Sequence, residues 1–202
     1  MVEQARPDAT LWLEATSGTE ASFGVVYDRY RARIFRKAYA RVQNVADAED
    51  IVALVFLEAW RRRADVRLVD GSLLPWLLVV TGNVTSNRER SLRRYRRLLA
   101  KVPPASHVPD PSVEVAERID GERMSHALRA AIARLSATDQ RLVDLCLVEQ
   151  LPMATVASVL DLPIGTVKSR LSRARTRLQG YLRAEGIGAT AALGLDDVGV
   201  QG

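Results

Sequence analysis

Apolar residues recur every three or four positions in the first part of the chain, the spacing that places them along one face of an α-helix. The first such run, in residues 23–42, contains Phe23, Val26, Tyr27, Tyr30, Ile34, Ala38 and Val42. The segment from Asn44 to Ala46 interrupts it, and Asp47 is then predicted to cap a second helix, DAEDIVALVFLEAWRRR. The pattern therefore predicts two consecutive amphipathic helices joined by a short break.

A third helix is predicted after a loop that contains Gly71 and Pro75, residue types that favour turns. It starts near Trp76, whose place before an apolar run favours the core. Its first half is apolar, whereas its second half, from Arg88 to Lys101, holds seven basic residues and one acid, Glu89. We expect this helix to pack at one end and to carry a positively charged surface at the other.

The composition changes at residues 102–121, where VPPASHVPDPSVE holds four prolines and shows no helical period, as in an extended linker. Helical spacing then resumes, and Ser136 is placed to cap one of the later helices. No strand is predicted. The expected fold is all-α, with two small helical domains at residues 1–101 and 122–184, joined by the proline-rich linker and followed by a flexible tail at 185–202.

Near the end of the second domain, PMATVASVL, DLP and IGTVKSRLSRARTRL read as a short helix, a tight break and a longer helix. An apolar stripe on the longer helix is formed by Val167, Leu171, Ala174 and Leu178. Such a pair is typical of a helix-turn-helix motif, whose second helix enters the DNA major groove. The preceding helix and break favour a DNA-reading helix over one that is basic only for solvation.

Position on this helix separates two kinds of predicted DNA contact. Residues in its first turns can reach base edges, and these are Lys168, Ser169, Ser172 and Arg173. Arginines on its flanks suit phosphates, which hold register without reading sequence, and these are Arg170, Arg175 and Arg177.

The composition agrees with a polyanionic partner. The 202-residue chain has a net charge of +5 and a pI near 9.8, which favours nucleic acid. Its one cysteine, Cys146, lies in an apolar run and is expected to be a small core residue. The first residues lack a signal pattern, and no run reaches the ~18 apolar residues of a membrane span. These features predict a cytoplasmic protein without membrane insertion.

Three motifs in this order, DAED…VFLEAW, PWLL…GN…N and GTVKSRLSRAR, resemble those of bacterial extracytoplasmic-function (ECF) sigma factors of the sigma-70 family. The resemblance spans roughly residues 20–183. It implies a transcription initiation factor that binds core RNA polymerase and directs it to promoters by reading the -10 and -35 elements. It also implies two helical domains, sigma-2 and sigma-4, without the middle domain of housekeeping factors.

The resemblance implies that the second predicted helix docks on the clamp-helix coiled coil of the polymerase β′ subunit. The residues implied in this contact are Asp47, Glu49, Asp50, Phe56 and Glu58, although helix capping is the favoured account of Asp47. Where the family commonly has Gln and an acid, this chain has Ala53 and Leu54, so apolar packing is expected to replace part of the polar contact. The apolar run LVDLCLVEQL is implied to face the polymerase β flap.

The resemblance also places the loop ADVRLVDGSLL and the third helix against the non-template strand of the -10 element, where a base leaves the stack to be read. Asn83 and Asn87, one turn apart, match family positions near the flipped base. Four arginines would face phosphates there, namely Arg88, Arg90, Arg93 and Arg94. The helix that begins near Gly165 would read the -35 element. An anti-sigma factor is a further candidate partner, and no cofactor or metal is implied.

Other classes of function explain fewer features. A stand-alone helix-turn-helix transcriptional regulator is the alternative, but it leaves the basic half of the third helix without a purpose. A structural helical adaptor leaves both basic surfaces unexplained. An enzyme is disfavoured, because GTVKS lacks the spacing of a phosphate-binding glycine loop and the two histidines, His107 and His126, form no metal or catalytic constellation.

Overall fold

The computed structural model describes residues 6–99 and 126–186, which are almost entirely helical. The first range contains α1 Asp8–Thr16, α2 Glu20–Val42, α3 Val45–Arg61 and α4 Leu74–Leu99. The second contains α5 over residues 126–133, α6 Ala137–Val143, α7 Met153–Leu160 and α8 Ile164–Ala184. Extended pairing within these ranges is limited to one isolated bridge between Val69 and Ser72. The predicted all-α class is confirmed.

The helices form two compact units. The first contains α1 to α4, and the second contains α5, α6, α8 and most of α7. The linker predicted at residues 102–121 lies outside the described residues, as does the tail beyond residue 186, so these boundaries stay predictions. In the part of the chain that the structure describes, no helix is both long and apolar enough to cross a membrane.

The helix α1 is an element to which the sequence analysis assigns nothing. It has nine residues, follows Pro7, and buries Leu11, Trp12 and Ala15 against the rest of the first unit. This spacing is helical, but a run of two turns is too short to stand out by periodicity alone.

Aromatic and aliphatic side chains form the core of the first unit. The ring of Phe23 on α2 lies 6.1 Å from that of Trp12 on α1 and 5.1 Å from that of Trp60 on α3. In the buried first half of α4, the Thr81 and Thr85 hydroxyls donate to carbonyls four residues earlier, at 2.7 and 2.8 Å. These bonds satisfy two polar groups that would otherwise be costly to bury.

Left-handed residues other than glycine occur at several ends of helices and turns. Gln43, with φ 55°, ends α2 and donates its N–H to the Tyr39 carbonyl at 2.9 Å. Asn44 then caps α3, because its Oδ1 accepts the Asp47 N–H at 2.9 Å. The prediction that Asp47 is the cap was therefore wrong by three residues. The other left-handed residues of this kind are Asp70, Gln150 and Asp161.

In the second unit, Ser136 caps α6 as predicted, with its Oγ accepting the Asp139 N–H at 3.2 Å. The helix continues into a π-helical turn, Asp144–Val148. After α7, the Leu162 N–H donates to the Ala157 carbonyl at 2.9 Å, and α8 begins directly after Pro163. The short helix, break and long helix thus lie where the sequence predicts them.

Candidate DNA-binding and docking surfaces

The exposed side of α8 presents the residues predicted to reach base edges. Its apolar stripe is buried in the second unit, so the opposite side faces solvent. On that side lie Lys168, Ser169, Ser172 and Arg173, all exposed. The Nε atom of Arg173 donates to the Ser169 carbonyl at 3.2 Å, which holds the guanidinium along the helix. The four side chains share one surface, as a groove-reading helix requires.

The flanking arginines of α8 differ in their surroundings. Arg170 and Arg177 lie beside α6, where the Asp139 carboxylate contacts both. Arg175 lies on the other flank and is half-buried, with its charge acting on the thiol of Cys146. Burial raises the pKa of that thiol, and Arg175 lowers it by a smaller amount. Cys146 itself is half-buried, and burial makes it less reactive than an exposed thiol.

A second basic surface lies on the second half of α4. Asn83 is half-buried, whereas Asn87 is exposed and its Oδ1 accepts a 2.6 Å hydrogen bond from Arg90. Arg90 and Arg94 are exposed, and the side chain of Arg93 lies outside the described residues. Asn87 therefore already serves to orient an arginine, while Asn83 lies closer to the packed half of the helix.

Arg88 is turned away from this surface toward α3. Its guanidinium contacts the Asp47 carboxylate and lies 3.5 Å from an oxygen of Asp50. Asp47 therefore forms an ion pair that joins α3 to α4. This ion pair, and not helix capping with solvation, explains the position of its side chain. The phosphate contact expected of Arg88 competes with two carboxylates of its own unit.

The loop before α4 is held by a residue that the sequence analysis did not single out. Asp8 of α1 is buried and accepts hydrogen bonds from Arg29, from Tyr30 and, at 2.8 Å, from the Leu73 N–H. Burial, followed by the bond to Asp8, raises the pKa of Tyr30 to about 12. The same loop turns tightly at Asp70, where φ is 53°. An acid directly after a proline is typical of an ordinary helix start, so this role could not be predicted from the sequence pattern.

Trp76, near the start of α4, was expected in the core. It is half-buried, whereas the neighbouring Leu77 and Leu78 are fully buried. Part of the indole therefore remains open to solvent beside the loop.

The outward face of α3 combines acids with exposed leucines. Glu49 and Asp50 are exposed in its first turns, and Glu58 pairs with Arg62 at 3.8 Å. Leu54 and Leu57 are 45% and 52% exposed, one turn apart on this face. Leu57 was missed by the sequence analysis, although an apolar residue on the polar side of a helix is a usable signal.

Phe56 was expected on this docking face, and the structure corrects that expectation. Its side chain is 4% exposed, and its ring packs 4.7 Å from Tyr27 and 6.3 Å from Phe23. The residue belongs to the buried stripe of α3, because it is one turn from Val52 and faces α2. Phe56 supports α3 from inside and does not form its exposed surface.

Within residues 6–99 and 126–186, no three His, Cys, Asp or Glu side chains cluster in a way that could hold a metal ion.

Comparison with known proteins relates both units to one family. The family model of Sigma-70 region 2 matches residues 26–97, and that of Sigma-70, region 4 matches residues 125–178. The ECF RNA polymerase sigma factor SigK of Mycolicibacterium vanbaalenii is 30% identical over 173 residues, covering 83% of this chain and 84% of the relative. SigW of Bacillus subtilis, also an ECF RNA polymerase sigma factor, is 26% identical over 176 residues, covering 84% and 94%.

A solved structure has a similar fold. CnrH, in complex with the cytosolic domain of CnrY, aligns with a TM-score of 0.57 at 23% identity. The alignment covers 88% of this chain and 98% of CnrH. At this identity the likeness concerns the fold.

Proposed function

The chain belongs to the ECF group of the sigma-70 family, and on this premise we propose how its surfaces divide the work of promoter recognition. As a sigma factor it binds RNA polymerase and gives the enzyme its promoter specificity. Proteins of this family are transcription initiation factors.

We propose that α8 reads the -35 element. The observation that carries this proposal is the exposed row of Lys168, Ser169, Ser172 and Arg173 on a helix whose other side is buried. Arginine donates two parallel hydrogen bonds to guanine, and serine can donate or accept, so this row can discriminate base pairs in the major groove. Arg170 and Arg175, on either flank, would meet the phosphates that border the groove.

We propose that α4 and the loop before it contact the non-template strand of the -10 element. Asn83 offers an amide near the packed half of the helix, where a flipped base can be enclosed. Asn87 would act beside it, through the arginine that it already orients. Arg90, Arg93 and Arg94 would follow the phosphates, and Arg88 would join them on release from its carboxylate partners.

We propose that the outward face of α3 docks on the β′ clamp helices. Leu54 and Leu57 supply exposed apolar area for the centre of such a contact, while Glu49, Asp50 and Glu58 supply a polar rim. Asp47 would join this rim when Arg88 leaves it for the phosphates. In the second unit, the exposed Val148 at the end of the π-helical turn supports a contact with the β flap.

The role of a sigma factor also defines how and where this protein acts. The protein acts by positioning polymerase and catalyses no reaction of its own, and it works in the cytoplasm, where the polymerase and chromosome lie. An anti-sigma factor remains a predicted partner, since a protein covering α3 would block docking.

The test is run-off transcription with purified core RNA polymerase, with and without this protein, on a library of genomic promoter fragments. We expect transcripts that depend on the protein and whose promoters share -10 and -35 sequences. Transcripts lacking a shared -35 sequence would contradict the role of α8. Specific duplex binding by the chain, with neither core binding nor transcripts, would favour the stand-alone regulator.

A further inference from the structure

The side chain of Asp139 bridges two arginines of α8 from a buried position on α6. Asp139 is 7% exposed. Its Oδ1 lies 3.3 Å from Nη1 of Arg170, and its Oδ2 lies 3.6 Å from Nη1 of Arg177. The two arginines are seven residues apart, which is two turns of one helical face. One carboxylate therefore links two guanidinium groups along the flank of α8.

An acidic residue in the first turn of a helix usually stabilises that helix by interacting favourably with its dipole. Asp139 occupies the first turn of α6, but its N–H is already bonded to the Ser136 hydroxyl. Its carboxylate instead extends to α8, where a shallow polar depression is lined by Ser136, Asp139, Arg170, Arg173 and Arg177. The carboxylate thus acts on the DNA-facing helix.

This arrangement lowers the positive charge of the α8 flank and restricts the arginine side chains. Two cations share one anion, so the flank presents less positive charge than its arginines alone would give. A guanidinium held at one oxygen also has fewer rotamers to lose when it meets a phosphate. Arg173, in the same depression, is held by the Ser169 carbonyl.

We propose that Asp139 is a positioning residue that sets the DNA specificity of α8. It holds Arg170 and Arg177 where they meet the phosphates once α8 is seated in register on its own sequence, and it competes for both arginines with the phosphates of DNA on which α8 is not seated. The proposal rests on the proposed reading of the -35 element by α8. Asp139 makes no contact with a base in this scheme, and it acts only through the two arginines.

The first experiment measures binding of the reconstituted holoenzyme to two promoter fragments across a range of salt concentrations. One fragment carries the -35 sequence found by run-off transcription, and the other carries a scrambled -35 sequence. For Asp139→Asn we expect the preference for the intact fragment to fall about tenfold. Binding to the scrambled fragment should strengthen. The slope of log K against the logarithm of the salt concentration should become more negative by about one for this fragment.

The matched control is Glu185→Gln, which makes the same change in net charge just after the last turn of α8. It should leave the preference unchanged. An unchanged preference in Asp139→Asn would overturn the proposal, and so would an equal loss of affinity for both fragments, which indicates a structural defect alone.

A double-mutant cycle then tests whether Asp139 acts through its arginines. In a variant that already carries Arg170→Gln and Arg177→Gln, adding Asp139→Asn should not change the preference for the intact fragment any further. A persistent tenfold effect in that background would overturn the proposal.

Thermal melting establishes that each variant is folded at the assay temperature. If Asp139→Asn is unfolded there, Arg177→Gln takes its place, since that side chain is 54% exposed. It should weaken binding to the intact fragment several-fold and binding to the scrambled fragment less, because Asp139 is proposed to compete for Arg177 on DNA where α8 is not seated. Equal losses on both fragments would contradict the proposal.

The wild-type holoenzyme separates this inference from the proposed function beneath it. If it binds both fragments equally, the role of α8 in reading the -35 element is wrong, and the inference falls with it. If it discriminates and Asp139→Asn discriminates equally well, only the inference is wrong.

Discussion

The carboxylate of Asp8 accepts a hydrogen bond from the backbone N–H of Leu73, 65 residues later in the chain, at 2.8 Å. The same carboxylate binds Tyr30 and Arg29 of α2. Leu73 is the last residue before α4, so one buried acid joins α1, α2 and the loop that leads into the proposed -10 surface. The N-terminal helix thereby fixes the point at which α4 begins.

Asp8→Asn should lower the free energy of unfolding by about 2–4 kcal/mol, because it removes a buried charge that serves three donors. Urea denaturation of the full chain measures this. Asp28→Asn is the control, since that exposed acid pairs with Arg31 one turn away on the same helix and should change stability by less than about 0.5 kcal/mol. A loss below about 1 kcal/mol for Asp8→Asn would show that the network is not essential.

Tyr30 should make the protein less stable in strong alkali. Its folded pKa of about 12 exceeds the ordinary value of 10.0, so folding favours the protonated phenol. The associated stability is fully present below pH 10 and is lost as the pH rises from there toward 12. Unfolding measured across this window should become easier with rising pH, and Tyr30→Phe should show a smaller decline. Equal declines in the two proteins would assign the effect to other groups.

Periodicity was sufficient to predict α2, α3, α4 and α8, because long helices with one buried face repeat the signal many times. It did not predict α1, which has only two turns. It also did not reveal the partners of Asp8, which lie 21 to 65 residues away and depend on tertiary packing.

The residue contacts at the candidate surfaces could likewise be predicted only in part from the sequence. The exposed row on α8 could be predicted, since it follows from the helical angle alone. The ion pairs of Arg88 with Asp47 and of Arg170 with Asp139 could not, because each joins two helices whose packing the sequence pattern does not specify. Phe56 was misplaced for a related reason: α3 was predicted as a helix, but its buried and exposed faces were not separated.

Leu57→Asp should weaken binding to core RNA polymerase at least about tenfold, because it places a charge in the apolar centre of the proposed docking face. A pull-down with purified core enzyme, titrated to give a Kd, measures the change. Leu13→Asp introduces the same group at an exposed leucine of α1, outside that face, and should bind normally. Native affinity in Leu57→Asp would remove this face from the docking surface.

Asn83→Ala should impair opening of the -10 region while sparing recognition of the -35 element, since the amide is proposed to hold a flipped base. Permanganate reactivity of thymines in the -10 region reports opening, and we expect it to fall several-fold with the holoenzyme. Binding to the closed duplex serves as the internal control. Normal reactivity would exclude Asn83 from base recognition.

Arg173→Ala should relax selectivity at one or two -35 base pairs, at a cost of about 1–3 kcal/mol in specific binding. Selection from randomised -35 sequences with the holoenzyme measures this. Arg183→Ala, an exposed arginine in the last turn of α8, should leave the selected sequence unchanged. If both variants select the wild-type sequence, Arg173 contacts phosphate and reads no base.

The left-handed backbone of Gln43 places a strained residue directly after α2. An L-residue in that conformation costs about 1 kcal/mol relative to glycine, and the two-residue joint between α2 and α3 carries that strain in every folded molecule. Gln43 lies outside the surfaces proposed for DNA and polymerase. Glycine at this joint would relieve that strain, so the heat resistance of the protein has room to rise at a position unrelated to promoter recognition.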